Sequence, residues 1–115
     1  MSGSQDKGRL AEARAADLLN GSGLSTVTRN YRCRGGEIDL VMRDGDCLVF
    51  VEVRLRSHAA FGGPLASVAA TKQARLITAA RHYLVSTGWA GPCRFDVVGF
   101  DGNGQAEWVR NAIEV

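Results

Sequence analysis

Two acidic residues of this chain lie inside strongly apolar runs. Asp39 belongs to the run G-E-I-D-L-V-M at 36–42, and Glu52 belongs to the run L-V-F-V-E-V at 48–53. Carboxylates are rarely buried without a partner, because removing a charge from water is costly. Two of them in neighbouring apolar strands suggest that a cation normally sits between them, which is the outline of a metal-dependent site.

The two runs flank a turn signal, Asp44-Gly45, which is typical of a type I′ β-hairpin. A two-residue loop made of these residues fixes the register of the two strands. The predicted pairs are Arg43–Asp46, Val41–Leu48, Asp39–Phe50 and Glu37–Glu52.

This register gathers charge on one side of the hairpin. Because side chains alternate along a strand, Glu37, Asp39, Glu52 and Arg54 are predicted to share a face. Like charges opposite one another destabilise a hairpin, and a bound divalent cation would reverse that penalty. A three-residue loop over 44–46 would slip the register by one and put Asp39 and Glu52 on opposite faces. The site hypothesis therefore depends on the turn.

Length and composition describe an ordinary soluble protein. The chain has 115 residues, of which 45% are hydrophobic and 23% are charged. These values favour a single domain over 1–115. The sequence shows no signal peptide and no apolar run near 18 residues, so we expect a cytoplasmic protein that does not contact membranes.

The positive charge is unusual in kind and modest in amount. The net charge is +2, and Lys7 and Lys72 are the two lysines among 14 basic residues. The remaining basic residues are arginine, whose planar fork suits phosphate and base edges. A genome rich in G and C would give the same bias.

The thiols and imidazoles do not form a metal-binding pattern. Cys33, Cys47 and Cys93 are widely spaced and include no C-x-x-C pair, and His58 and His82 lie far apart. We expect reduced thiols in a cytosolic protein, and neither a zinc knuckle nor a redox motif.

Periodicity predicts an α/β protein with the element order αβββαββ. The first helix spans about Lys7–Asn20, with Glu12 at one end of an apolar face made by Ala15, Ala16 and Leu19. The second helix begins near Ala66 or at Thr71 and ends before Gly88. Its predicted buried stripe includes Leu76, Ile77, Ala80 and Leu84. Gln73 is on the same stripe, whereas Lys72, Arg75 and His82 are not. The predicted strands are 24–32, 37–43, 47–55, 93–100 and 107–109.

These pieces together resemble a known family. The matching motifs are G-R-L-A-E-A-R-A-A at Gly8–Ala16, N-Y-R-C-R-G-G-E-I-D-L at Asn30–Leu40, V-F-V-E-V-R at Val49–Arg54, T-K-Q-A-R-L at Thr71–Leu76 and C-R-F-D-V-V at Cys93–Val98. The chain resembles the YraN-like family of small bacterial proteins, which is related to archaeal Holliday junction resolvases. The resemblance implies a PD-(D/E)xK core: a restriction-endonuclease-like fold, with a central mixed β-sheet flanked by two main helices.

The resemblance also implies roles for individual residues. Asp39 and Glu52 would bind Mg²⁺ or Mn²⁺ together with the backbone carbonyl of Val53. Glu12 corresponds to the acid on the first helix of resolvase-like members, and Gln73 resembles the glutamine of RecB-like members. Arg54 stands where the family pattern has lysine. An arginine effectively cannot lose its proton, so it cannot act as a general base, but it can hold a phosphate.

Less specific interpretations of these residues remain open. Asp39 could cap a turn or pair with an arginine, and Glu52 with Arg54 could form an ion pair on a solvated face. Glu12 could be an ordinary surface acid of its helix. Gln73 could satisfy a neighbouring backbone group.

Three functions follow from these observations. The first is a metal-dependent DNA endonuclease that hydrolyses phosphodiester bonds, acting on branched or damaged DNA. The second is a nucleic-acid-binding module that kept the fold and lost cleavage, which Arg54 favours. The third is an adaptor that forms a homodimer through the edge of the sheet. The basic residues expected to contact nucleic acid, unless they are ordinary surface charge, are Arg29, Arg32, Arg34, Arg56, Lys72 and Arg75.

Overall fold

The computed structural model describes residues 3–55 and 70–113, with side chains described from residue 8 onward. The described elements are α1 (Gly3–Gly21), β1 (Ser25–Cys33), β2 (Gly36–Asp44), β3 (Cys47–Leu55), α2 (Ala70–Thr87), β4 (Cys93–Phe100) and β5 (Ala106–Val109). This order confirms the predicted αβββαββ arrangement. The alternative start of the second helix at Ala66 lies outside the described residues. Across the described ranges, no helix is long and apolar enough to cross a membrane.

The strands form one mixed sheet in the order β1-β2-β3-β4-β5. Neighbouring strands are antiparallel except β3 and β4, which are parallel. Parallel neighbours need a crossover connection, and α2 lies in the connection between these two strands. The central strand β3 therefore has a strand on either side, and Leu48–Glu52 in its middle are buried.

The two helices pack on opposite faces of this sheet. Ala11, Ala15, Ala16 and Leu19 of α1 are buried in a cluster with side chains of β2, β3 and β4. On the other face, α2 buries Leu76, Ala79, Ala80 and Tyr83 against a second set of side chains from the same strands. The result is a three-layer α/β/α arrangement, consistent with the predicted restriction-endonuclease-like fold.

The hairpin between β2 and β3 has a different turn from the one predicted. Asp44 pairs with Cys47, so the loop is Gly45-Asp46 and every predicted pair is wrong by one residue on each strand. Gly45 has φ +59° and occupies the first loop position, where a glycine is favoured in the mirror-image hairpin turns. Arg43 Nε donates to the Gly45 carbonyl oxygen at 2.9 Å. The shift keeps the parity of the two strands, because the loop moves by one residue along the chain and the partner of each residue therefore changes by two.

Strand β2 changes its orientation around Asp39. Ile38 belongs to the cluster under α2, whereas Leu40, two residues later, belongs to the cluster under α1. Residues two apart on a regular strand point to the same face, so strict alternation does not hold here. On β1, Asn30 lies between the pairs Arg29–Leu40 and Tyr31–Ile38 and has φ +54°. Both strands are therefore distorted beside Asp39.

A close contact fixes α2 against β2. A Cβ atom added to Gly36 would lie 2.1 Å from the Arg75 carbonyl oxygen and 3.0 Å from the Ala79 backbone nitrogen. Only a residue without a side chain allows the helix backbone to approach the strand this closely.

We expect Gly36→Ala to destabilise the protein by about 1–3 kcal/mol or more, because the new methyl group overlaps the backbone of α2. Urea denaturation followed by circular dichroism measures the change. Gly21→Ala is the matched control, since a Cβ there would meet no atom within 4 Å. Equal stability of the two variants would contradict the close contact.

Candidate metal centre

Glu52 is a buried carboxylate at the centre of the sheet. Its side chain is 1% exposed, and both of its oxygens lack a hydrogen bond from the described residues. Two cations approach it without reaching hydrogen-bond distance: Lys72 Nζ lies 3.6 Å and Arg54 Nη1 lies 3.8 Å from Oε2. A buried acceptor in this condition points to a ligand or to a proton.

Asp39 is held beside Glu52 by the backbone of β3. The regular pairing of β2 with β3 ends at Leu40–Val51, one residue before the two acids. Beyond that pair, the Val53 backbone N–H donates to Asp39 Oδ2 at 2.8 Å. The Asp39 carboxylate thus accepts a hydrogen bond from the backbone of β3 at the point where the two strands separate.

A cavity of about 260 Å³ opens at this separation. Two of its acids are Asp39 on β2 and Glu12 on α1, and its cations are Arg54 on β3 and Lys72 on α2. The remaining described lining residues are Gly8, Ala11, Val53 and Leu55. Glu12, Asp39 and Arg54 therefore line one cavity. The side chains of β2 do not alternate strictly around Asp39, so the simple strand pattern does not account for this arrangement.

The electrostatics of the acids reflect this crowding. Burial, followed by the negative charge of Asp39, raises the pKa of Glu52 to about 8. Lys72 and Arg54 oppose the shift, but their long distances leave burial dominant. Burial and the charge of Asp39 also raise the pKa of Glu12. The acids repel one another enough that at least one is expected to be protonated or neutralised by a cation near neutral pH.

The residues present fit a hard divalent cation in part. Among the described residues, no three His, Cys, Asp or Glu side chains are close enough to enclose a metal ion. Mg²⁺ needs few protein carboxylates, however, because it keeps several waters and binds substrate phosphates. The open oxygens of Glu52, with Asp39 beside them and Val53 in the cavity wall, match that demand.

Lys72 enters the site in a way that the helical pattern does not indicate. It was predicted to lie off the buried stripe of α2, among residues contacting nucleic acid. Its Nζ instead lies 3.6 Å from carboxylate oxygens of both Glu37 and Glu52. The long stem carries the charge around the helix edge into the site.

The other predicted basic residues surround the site less closely. Arg32 is exposed, with Nε 3.6 Å from Glu37 Oε2, and it lines a second cavity of about 410 Å³ with Arg9, Glu12 and Asn30. Sequence reasoning missed Arg9, whose position on the helix one turn before Glu12 was the available signal. Arg29, Arg34 and Arg75 are exposed as well, and Arg56 lies outside the described residues.

Gln73 lies half-buried in the first turn of α2. It is not among the described residues that line the cavity beside Glu52. Its predicted role in the site stays a prediction.

A second buried carboxylate, Asp96 on β4, shows the opposite condition. Arg94 donates through Nε at 3.0 Å and Nη2 at 3.2 Å, Trp108 Nε1 donates at 2.9 Å, and the Asn111 backbone N–H donates at 2.9 Å. Arg94 Nη1 also donates to Asp44 at 3.0 Å. A carboxylate with this many donors is a structural anchor. The contrast marks Glu52 as the buried acid to which the described residues donate no hydrogen bond.

A family model matches most of the chain. The model of the uncharacterised protein family UPF0102 matches residues 11–100. The chain belongs to this family. The matched residues include Glu12, Asp39, Glu52, Arg54 and Lys72, so the whole candidate site lies within the UPF0102 region.

Curated UPF0102 relatives agree over nearly their full length. A UPF0102 protein of Stutzerimonas stutzeri is 56% identical over 119 residues, covering 99% of both chains. A UPF0102 protein of Nitrosomonas europaea is 52% identical over 116 residues, covering 99% of this chain and 98% of the relative. These matches confirm the resemblance to an uncharacterised bacterial family.

The raised pKa of Glu52 predicts a pH-dependent stability. The group goes from an ordinary value of 4.5 to about 8 on folding, so the folded state holds a proton that the unfolded state releases. Stability is therefore full below pH 4.5 and declines as the pH rises towards 8.

We expect Glu52→Gln to remove this decline, because the amide does not ionise. Without metal, the variant should match the wild type near pH 5 and exceed it at pH 8 by an amount on the order of a few kcal/mol, at about 1.4 kcal/mol per pKa unit. Chemical denaturation at each pH measures the difference. A constant difference between the two proteins over this range would exclude a raised pKa at Glu52.

Proposed function

We propose that this UPF0102 protein is a metal-dependent nuclease that hydrolyses phosphodiester bonds of DNA. The observation that carries the proposal is the buried, unsatisfied carboxylate of Glu52, placed beside Asp39 at a cavity that also exposes two cations. A negatively charged substrate that arrives with a divalent cation satisfies both the acids and the bases of such a cavity.

The proposed reaction is a displacement at phosphorus. A water oxygen forms a bond to phosphorus while the bond from phosphorus to one ester oxygen breaks. The water loses a proton to solvent and the departing oxygen gains one, which leaves a phosphate monoester and a free hydroxyl. A bound Mg²⁺ or Mn²⁺ would supply Lewis-acid neutralisation of the phosphate and a more acidic water.

The residues of the site divide this work by their chemistry. Asp39 and Glu52, together with the Val53 carbonyl, would hold the cation. Glu12 lines the same cavity from α1 and would lie outside this set of ligands. Arg54 keeps its positive charge at every relevant pH and would bind a non-bridging phosphate oxygen. Arg32, exposed near the second cavity, would contact the flanking backbone.

The position of Arg54 favours a second candidate function. An arginine can bind a phosphate but cannot accept a proton from water. It therefore supplies what a module needs to bind nucleic acid, and it does not supply the general base that cleavage could use. This candidate shares the fold and the phosphate contacts of the first, and the two differ in turnover.

We expect Mn²⁺ to raise the melting temperature of the wild type, because the ion relieves repulsion among the acids. Asp39→Asn should abolish the rise at little cost to the metal-free protein, since an amide oxygen can still accept from Val53. Differential scanning fluorimetry with and without Mn²⁺ measures both effects. Asp17→Asn, on the exposed side of α1, is the control and should keep the rise. A metal-dependent rise in the Asp39→Asn protein equal to that of the wild type would refute the assignment.

Arg54 decides between the two candidate functions in a cleavage assay on branched, single-stranded and duplex DNA with Mg²⁺ or Mn²⁺. For a nuclease, Arg54→Ala should lower the rate by about 10²–10³-fold, the usual effect of removing a fixed donor to developing charge. Arg54→Lys should retain or improve the rate. Arg81→Ala, an exposed arginine on the far part of α2, is the control.

The outcomes of this assay are distinct. An inert wild type together with a metal-dependent Arg54→Lys nuclease would favour the binding module. If neither protein cleaves any of the substrates, the nuclease proposal fails and the family fold remains.

A further inference from the structure

Lys72 joins three elements of the fold at one ammonium group. It projects from the first turn of α2, and its Nζ lies 3.6 Å from Glu37 Oε1 on β2 and 3.6 Å from Glu52 Oε2 on β3. The Lys72 side chain is 33% exposed, whereas Glu52 is 1% exposed. The charge therefore reaches from the solvent rim to an acid of the interior.

The length of these contacts matters. Charge-assisted hydrogen bonds between nitrogen and oxygen are about 2.7–2.9 Å long. Both contacts of Lys72 exceed that range, and Glu52 keeps two oxygens without hydrogen bonds. The ammonium is thus attracted by the acids without being bonded firmly to either of them.

We propose that Lys72 is an exchangeable counter-cation of this site. In the protein without metal it lies beside Glu37 and Glu52, and it balances Glu52 whenever that carboxylate is ionised. When a divalent cation binds to the acids, the ammonium leaves them and turns into the adjoining cavity, where it can contact a phosphate oxygen of the substrate. The inference rests on the proposed function, because it requires the metal site.

The type of residue supports an exchange. Lysine carries a compact charge on a flexible four-carbon stem, whereas arginine binds carboxylates with a rigid two-pronged fork that is harder to release. Basic positions of this chain are otherwise arginine, apart from Lys7. Arg54, 3.8 Å from the same Glu52 oxygen, supplies the charge that stays in place.

The presence of two lysines allows a direct test. Protein labelled with ¹³C at the lysine ε-carbons gives signals from Lys7 and Lys72, which Lys72→Met assigns. On titration with Mg²⁺, the Lys72 signal should move and sharpen as its ammonium is released. Its saturation curve should follow the Mg²⁺ affinity measured by calorimetry.

Affinity gives the second readout. Lys72→Met should lower the Kd for Mg²⁺ by about tenfold, since no internal cation competes for the acids. Lys72→Arg should raise it, because the fork holds both carboxylates. Arg81→Met removes one positive charge from an exposed position of the same helix and should leave the Kd within about twofold.

The outcomes separate this inference from the proposed function. If Mg²⁺ binds but the Lys72 signal does not move, the exchange is refuted and the metal site stands. A Kd that is unchanged in Lys72→Met refutes it in the same way. If Mg²⁺ binds neither the wild type nor Lys72→Met, both the inference and the metal-dependent nuclease fail.

Discussion

The cost of keeping an ionised carboxylate out of water controls the arrangement around Glu52. This acid lies on the central strand, with strands on both sides and a helix over each face, so water cannot solvate it. Any compensating positive charge must come from side chains nearby: Arg54 two residues further along β3, and Lys72 from the start of α2. The separation of β2 from β3 is what lets these groups meet at one cavity.

Apolar periodicity was sufficient to predict the layers of the fold and their order. The buried residues Ala15, Ala16 and Leu19 of α1 and the strand runs follow directly from it. The hairpin register was harder, because Asp44-Gly45 and Gly45-Asp46 are both acceptable two-residue loops, and the observed pairing of Asp44 with Cys47 decides for the second. Both registers have the same parity, so the incorrect turn by itself does not move Asp39 and Glu52 to opposite faces. Opposite Asp39, Asn30 of β1 adopts a left-handed conformation. Asparagine tolerates this conformation without requiring it, so the sequence alone does not predict the distortion of the strands.

The rest of the site depends on contacts between residues that are distant in sequence. Helical spacing correctly places Lys72 off the buried stripe, but it does not include the length of the side chain, which reaches Glu52 from the helix edge. Asp96 was missed as an anchor although Arg94, two positions earlier on the same strand face, was a readable signal. Its third and fourth donors, from Trp108 and Asn111, come after a turn and could not be inferred.

The missing side chain of Gly36 has a consequence beyond packing. Gly36 directly precedes Glu37, and the carbonyl that it accommodates belongs to Arg75, one helical turn after Lys72. The absence of a side chain at Gly36 thus sets the short distance between α2, which carries Lys72, and β2, which carries Glu37. A bulkier residue at this position would push the helix away from the strand and hold Lys72 and Glu37 farther apart. The distance between two charged side chains is therefore set in part by a backbone position that carries no charge.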